Sequence, residues 1–421
     1  MQGVFSIKFY FRPNVLKQVL YISYDGLTDP LGQSQILPYV VGLSKEGYQF
    51  TLISCEKADK IALGRPIIDA ICKENNIDWR PLEYHKKPPI FSTIRDARSI
   101  RKLAFQLHRK KDFSIVHCRS HISSLVGLEL KRKFGIPFIF DMRGFFADER
   151  VDGGLWNRSN PIYNLVYNFL KSKEAAYVQF SDAVISLTEA GKQIMLSWPT
   201  MQHSQKIIVI PCSVDMNLFD RSKLDPLKLN ELKKGIDSDM TIGYYGSLGT
   251  WYMLNEMLEQ FSFILAKYPK AKLLIVTKDK WEDEHIRFAK KNNIQDNQII
   301  IRSAERNEMS YYMAITHVGL FFIKACFSKL ASSPTKHGEM MSLGLPLIAS
   351  AGVGDVDHIV EVSKSGYIIS GFDKENYERA TENISRLLKL DPNAIRNSCK
   401  EIYSLDSAIE KYLNVYNRIS K

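Results

Sequence analysis

The sequence predicts an α/β protein of two doubly wound domains, each a parallel sheet with helices on both faces, set around a central cleft. Three observations predict it. Short β-branched or aromatic runs alternate with helix-length amphipathic segments, the second half of the chain repeats that scheme, and a polar stretch divides the halves.

In the first half the expected strands are Val19–Ser23, Phe50–Ser54, Ile115–Cys118, Phe138–Asp141, Ala183–Leu187 and Ile207–Ile210. Helical periodicity fills Ser34–Glu46, Ile122–Phe134 and Pro161–Tyr177 between them. Strands separated by helices imply parallel pairing through right-handed crossovers. The second half offers Thr241–Tyr245, Leu273–Thr277, Ile299–Ile301, Val318–Ile323, Leu347–Ala349 and Tyr367–Ile369. Asp220–Asp239, charged and carrying Pro226 and Gly235, reads as the connector. The expected division is residues 1–222, a linker over 223–239, a second domain over 240–403 and a terminal helix over 404–421. That helix places Ala408, Tyr412, Val415 and Ile419 at helical spacing, so it needs a surface to cover, and the first domain is the expected one.

The 421 residues are 45% hydrophobic and 24% charged, the balance of a water-soluble globular chain. No stretch reaches the ~20 apolar residues of a membrane span. Val4–Phe11 is short and broken by Lys8, and reads as an N-terminal extension rather than a signal peptide. Six cysteines stand singly, without a C-x-x-C pair, which argues against a zinc site or disulfide framework and fits a cytoplasmic protein. The net charge is +11, and residues 1–225 hold 31 Lys and Arg against 22 Asp and Glu, so the first half is the side expected to face something anionic.

The most informative stretch runs from Ser333 to Ala349. Ser333 suits an N-cap, Pro334 suits the first helical position, and Gly344-Leu-Pro346 ends the helix. The helix start would follow the loop after strand Val318–Ile323, with free amides facing the cleft as an anion site. Lys336 in the first turn is unfavourable to the helix by ~0.3–1 kcal/mol, which a neighbouring phosphate would justify. Glu339, one turn deeper, could accept hydrogen bonds from ribose hydroxyls. The same residues also suit an ordinary capped helix with a solvated lysine. In the first loop, Gly26 and Gly32 precede a helix without forming G-x-G-x-x-G, so no dinucleotide fingerprint is present. Gly32 either lets backbone approach a ligand or serves a plain turn.

Ordered along the chain are "YISYDGLTDPLGQSQILPYVVGLSKEGYQFTLIS", "IVHCRSH", "PFIFDMRG", "SDAVISLTEAGKQ", "VIPCSVDMNLF", "IGYYGSLGTWYMLNEML", "SPTKHGEMMSLGLPLIASAGVGDV" and "YSLDSAIEKYLNVYNRI". In these pieces, their order and their spacing over most of its length, the chain resembles the family 4 glycosyltransferases. The resemblance implies the GT-B fold of two Rossmann-like domains and transfer of a sugar from a nucleotide-sugar, which is a co-substrate, with no further cofactor or metal. It implies retention of anomeric configuration, the departing phosphate itself taking the acceptor's proton. The candidate donor residues are Gly246, Ser247, Gly249, Ser333, Thr335, Lys336 and Glu339, and the candidates on the acceptor side are Gly32, His121 and Asp141. Arg119 and Arg143 stand where the family commonly has two cleft histidines, so Lys336, Glu339, Arg119 and Arg143 are the expected catalytic set. The chain also departs from the family. A first glutamate is replaced by Ala331, and an Arg and a Lys that hold the diphosphate are replaced by Ser247 and Tyr252.

One further segment, Ser92–Lys111, carries Ile94, Ala97, Ile100, Leu103, Ala104 and Leu107 on one stripe and seven cations opposed only by Asp96. A core-packed helix with a solvated face explains the stripe, while an anionic membrane surface, at ~1 kcal/mol per basic residue, explains the excess of one sign. The expected partners are therefore a nucleotide-sugar, a lipid-linked or polysaccharide-precursor acceptor and the inner face of the cell membrane. Asp355-Val-Asp357 has metal-pair spacing but belongs to the loop after Gly352. The rival readings are a nucleotide-sugar epimerase or phosphorylase, an inactive transferase-like binding protein, and a nucleic-acid binder. The last lacks stacking aromatics among its basic residues.

Overall fold

The computed structural model describes residues 17–199, 206–236 and 238–420, so the Val4–Phe11 segment lies outside the described residues. Thirteen strands form two parallel sheets among the described residues. The first sheet contains β1 (Lys17–Ser23), β2 (Tyr48–Glu56), β3 (Asp78–Glu83), β4 (Ile115–Arg119), β5 (Phe138–Asp141), β6 (Ala183–Ser186) and β7 (Ile207–Val209). The second contains β8 (Thr241–Tyr245), β9 (Lys272–Val276), β10 (Ile299–Arg302), β11 (Val318–Phe321), β12 (Leu347–Ser350) and β13 (Gly366–Ile369). Their orders are β3-β2-β1-β4-β5-β6-β7 and β10-β9-β8-β11-β12-β13. Both are doubly wound, and each reverses direction once, between β1 and β4 and between β8 and β11. A crevice at the carboxyl ends of the strands is a geometric consequence of that reversal.

The sheets are sealed as such sheets must be, by apolar packing on both faces. One face of the first sheet packs Leu20, Val116 and Phe138 against Ile100, Ala104 and Tyr177 of helices Phe91–Lys111 and Pro161–Phe180. The other face packs Val19, Tyr21 and Phe50 against helix Leu37–Ser44 and against Ala408, Tyr412, Val415 and Tyr416 of the terminal helix Leu405–Ile419. The terminal helix starts at an N-cap on Ser404, whose hydroxyl accepts from the Ser407 amide. The crossing itself is fixed where the Val214 amide donates to Tyr403 and the Leu405 amide donates back to Val214. Full burial of such side chains stabilises by roughly 1.5–3 kcal/mol each, so the terminal helix is part of the first core.

Three elements differ from the sequence reading. Strand β3 was not foreseen. It is an edge strand containing Pro81, which a sheet tolerates only at its edge. The expected helix Ser34–Glu46 is two helices, Pro30–Gln35 and Leu37–Ser44, broken at Ile36 ahead of Pro38. The stretch read as a connector holds helix Pro226–Ile236, whose Leu229, Leu232 and Ile236 pack on the second core.

Candidate functional site

The second domain's wall is built by the loops after β8 and β11, the strands that flank its reversal. After β8, Gly246 takes φ 149° and its amide donates to the Val276 carbonyl at 3.0 Å. The Tyr244 hydroxyl donates to the Ser247 carbonyl, and the Leu248 amide donates to Asp279 at 2.7 Å. Ser247 and Gly249 are left exposed on a loop fixed at both ends. After β11 the chain makes a short turn over Phe327–Ala331 and enters helix Thr335–Ser342.

The start of that helix differs from expectation. Pro334 is its N-cap, and no side chain caps it. The Ser333 hydroxyl instead accepts from the Cys212 amide of the first domain at 3.2 Å. The amides of Thr335 and Lys336 therefore keep no intrahelical acceptor and no side-chain cap. No acidic residue sits in the first turn. Lys336 does, 30% exposed, with its ammonium 2.5 Å from the buried carboxylate of Glu339. The two residues expected to meet phosphate and ribose separately are thus paired with each other. Each balances the other's charge.

The opposing floor lies at the carboxyl ends of β1, β4 and β5, where Arg119 stands in register with Ser23 on one side and Asp141 on the other. The side chains of Arg119 and Arg143 are buried. Arg119 donates to Asp25 and to the Gln35 carbonyl, both at 3.3 Å. Arg143, held at φ 58°, reaches Cys212 Sγ at 3.2 Å and lies 3.6 Å from Asp141, while its Nε and Nη1 are buried without hydrogen-bond partners. Asp141 is the hub. Burial would raise its carboxyl, but Arg143, His117 and Arg119 outweigh burial and hold it at about 2. Tyr412 of the terminal helix donates to it at 3.3 Å. His117 lies 3.5 Å from Asp141 and bonds the Tyr416 hydroxyl at 2.7 Å; burial, against the pull of Asp141, moves its pKa down, so it stays neutral.

Two expected site residues lie elsewhere. His121 is buried behind the sheet, 2.7 Å from Glu174, in a chain of contacts through Lys171 to Asp148. Ser120 at φ 66° turns the backbone between Arg119 and His121 and sends the imidazole to the far face. Gly32 meets its own loop: a Cβ there would lie 2.0 Å from the Gly26 carbonyl oxygen. Its missing side chain is required by that tight turn. His117, Gln35, Cys212 and Tyr412 were missed. His117 was legible, since residues two apart on a strand share a face.

The two walls touch. Asp355 accepts from the Glu189 and Ala190 amides at 2.6 and 3.0 Å, so it caps helix Glu189–Leu196 from across the crevice. Thr188 donates to the Leu330 carbonyl at 2.7 Å, and the Ser328 amide donates to Asp152 at 2.9 Å. Lys329 pairs with Glu149 at 2.7 Å and lies 3.8 Å above the Trp251 ring, beside the loop where Ser247 and Tyr252 supply no cation. Ala331 is buried among first-domain residues, 3.1 Å from where a side chain on Gly191 would begin. A glutamate at 331 would have no room in this closed arrangement.

On helix Phe91–Lys111 Asp96 points inward, accepting from Tyr24 and His85. Arg101 pairs with Glu129 and Lys111 with Asp78. Arg95, Arg98 and Lys102 are exposed, and so is Ile94, which the sequence had placed on the buried stripe. Among the described residues no helix is long and apolar enough to cross a membrane.

Comparison with known proteins agrees with the two-domain fold. A model described as Glycosyltransferase Family 4 matches residues 37–218, and one described as Glycosyl transferases group 1 matches residues 230–402. The chain is 24% identical over 229 residues to the uncharacterized glycosyltransferase MJ1059 of Methanocaldococcus jannaschii, covering 51% of this chain and 52% of that protein. It is 21% identical over 305 residues to the capsular polysaccharide biosynthesis glycosyltransferase CapM of Staphylococcus aureus, covering 70% and 72%. The match thus spans about half the length of the first relative and seven tenths of the second. Among solved structures, a glycosyltransferase from Rickettsia africae superposes with TM-score 0.71 at 17% identity, covering 96% of this chain and 99% of that one. HepE of Anabaena, in complex with UDP and glucose, superposes with TM-score 0.66 at 12% identity, covering 95% and 99%.

Proposed function

The chain belongs to the family 4 glycosyltransferases and has their GT-B fold, and from that premise we propose that it moves a hexose from a nucleoside-diphosphate sugar to a lipid-linked or polysaccharide-precursor acceptor. The observation that carries this reading is the start of helix Thr335–Ser342: free amides, no capping side chain, no acid in the first turn, and Lys336 in that turn.

In this reading the diphosphate takes Lys336 from Glu339. The freed carboxylate of Glu339 then accepts from the ribose hydroxyls. As the anomeric bond breaks, negative charge grows on the leaving phosphate and positive charge on the sugar. Fixed amides and one lysine stabilise that phosphate without reorganising. Lys329 is a second cation within reach of the loop that lacks the family's Arg and Lys, and the diphosphate would draw it from Glu149. Arg119, Asp141 and Arg143 form the acceptor side, where the departing phosphate takes the acceptor's proton and configuration is retained. No metal takes part. The exposed cations of helix Phe91–Lys111 hold the protein against the inner face of the cell membrane. The complexes of HepE and the capsular role in the name of CapM support a nucleotide-sugar donor and a polysaccharide product.

The test is a melting-temperature panel with UDP-, GDP- and ADP-sugars. One base is expected to raise the transition by several degrees at millimolar ligand, as binding to the folded state must. No shift with any of them would reject the reading.

A further inference from the structure

We propose that helices Phe91–Lys111 and Pro161–Phe180 form one face that seats on an anionic lipid bilayer, the second helix inserting an apolar ridge between the headgroups. This deepens the membrane contact proposed above, which rested on the first helix alone.

Three observations carry it. Ile162, Leu165 and Phe169 recur at i, i+3 and i+7, so they form a single ridge, and they are 62%, 71% and 48% exposed. Leu155, in the loop before that helix, is 56% exposed, and Phe91 is 73% exposed. A water-soluble surface rarely gathers so many large apolar side chains without a partner. The two helices flank helix Ser120–Phe134 and share one apolar cluster: Ala97 of the first and Val166 and Tyr167 of the second pack around Ile122, Ala147 and Leu170. Finally, the charges have one sign. No Asp or Glu occurs between Gly153 and Lys173, and Asp96, the acid of the first helix, is turned inward. Arg95, Arg98 and Lys102 are exposed on the first helix, and Arg158 is exposed just ahead of the second. Exposed apolar residues together with exposed cations suit anionic headgroups over acyl chains. A second copy of the chain would instead bring like charges together.

The experiment is flotation of the full chain with vesicles of phosphatidylcholine alone, or of phosphatidylcholine and phosphatidylglycerol at two to one. The protein is expected to float with the mixed vesicles and to be released in part by salt. Ile162→Glu with Leu165→Glu and Phe169→Glu should lower partition at least about tenfold at unchanged melting temperature, since the ridge contributes through acyl contact. Arg95→Glu with Arg98→Glu should lower binding to the mixed vesicles and flatten its salt dependence. If the ridge variant floats like the parent protein, the ridge does not insert and the proposal fails, leaving the first helix alone. If the parent protein floats with neither vesicle while the ridge variant abolishes a concentration-dependent dimer in sedimentation, the face belongs to a second copy. Nucleotide binding, measured on the same variants, should be unchanged; its absence in the parent protein would fault the transferase reading and not this one.

Discussion

At the scale of residues, the crevice is governed by who neutralises whom. Asp141 is buried with three partners of positive or polar character, and it answers for two arginines. Asp141→Asn should therefore destabilise by about 3–5 kcal/mol in urea unfolding, because it leaves the buried Arg143 guanidinium without a carboxylate, while Arg119 keeps Asp25. A change below 1 kcal/mol would mean that water supplies the balance. His337 gives a pH dependence. It is fully buried, bonded to the Tyr403 hydroxyl at 3.1 Å, and burial depresses its pKa to about 3 from an ordinary 6.5. Between those values the unfolded chain binds a proton that the folded chain refuses. Stability is thus complete above pH 6.5 and falls as pH drops below it, by up to about 1.4 kcal/mol per pH unit from this group. His337→Gln should flatten that loss between pH 7 and pH 5 without abolishing it, because His117 is depressed in the same direction. An unchanged slope would show that His337 is protonated within the fold. Part of this chemistry was legible in the sequence: Arg119, Arg143 and Asp141 were placed at strand ends, where they are. His121 was not, because one residue at positive φ undoes the alternation that a sequence reader counts on.

At the scale of elements, the sequence resolved what periodicity resolves. The core strands are continuous apolar runs and stood out. β3 did not, because an edge strand is half exposed and this one holds a proline. Helix Pro226–Ile236 was hidden by its charge, although its apolar residues keep helical spacing. Periodicity showed which face of Leu405–Ile419 is apolar, but only the fold shows that Tyr412 reaches the Asp141 carboxylate. Helix ends carry the closest link to function. One N-terminus, at Thr335, is left without a side-chain cap, while another, at Glu189, is capped by Asp355 of the opposite domain. Asp355→Ala should cost about 1 kcal/mol, as other lost caps do, and should loosen the two domains. The check is a larger radius of gyration by small-angle scattering with the melting temperature only slightly lowered. An unchanged radius would mean that the Lys329–Glu149 and Thr188–Leu330 contacts hold the domains without it.

At the scale of the whole molecule, two sheets with the same reversal face each other, and the terminal helix returns to stiffen the first. The contacts across the crevice combine polar loop contacts with the apolar packing of Ala331 and the stacking of Phe327 on Phe145. Ala331 shows how closure and chemistry share one segment: the position where the family often has a glutamate is here a methyl packed into the partner domain. The proposed donor site depends on the Lys336 helix holding the diphosphate. Isothermal titration of UDP, GDP and ADP into the parent protein and into Lys336→Ala tests it most directly. One of the three should bind the parent protein and bind the variant at least about tenfold more weakly, the loss expected when a charge-assisted contact is removed. Equal affinity of parent and variant for that nucleotide would contradict it.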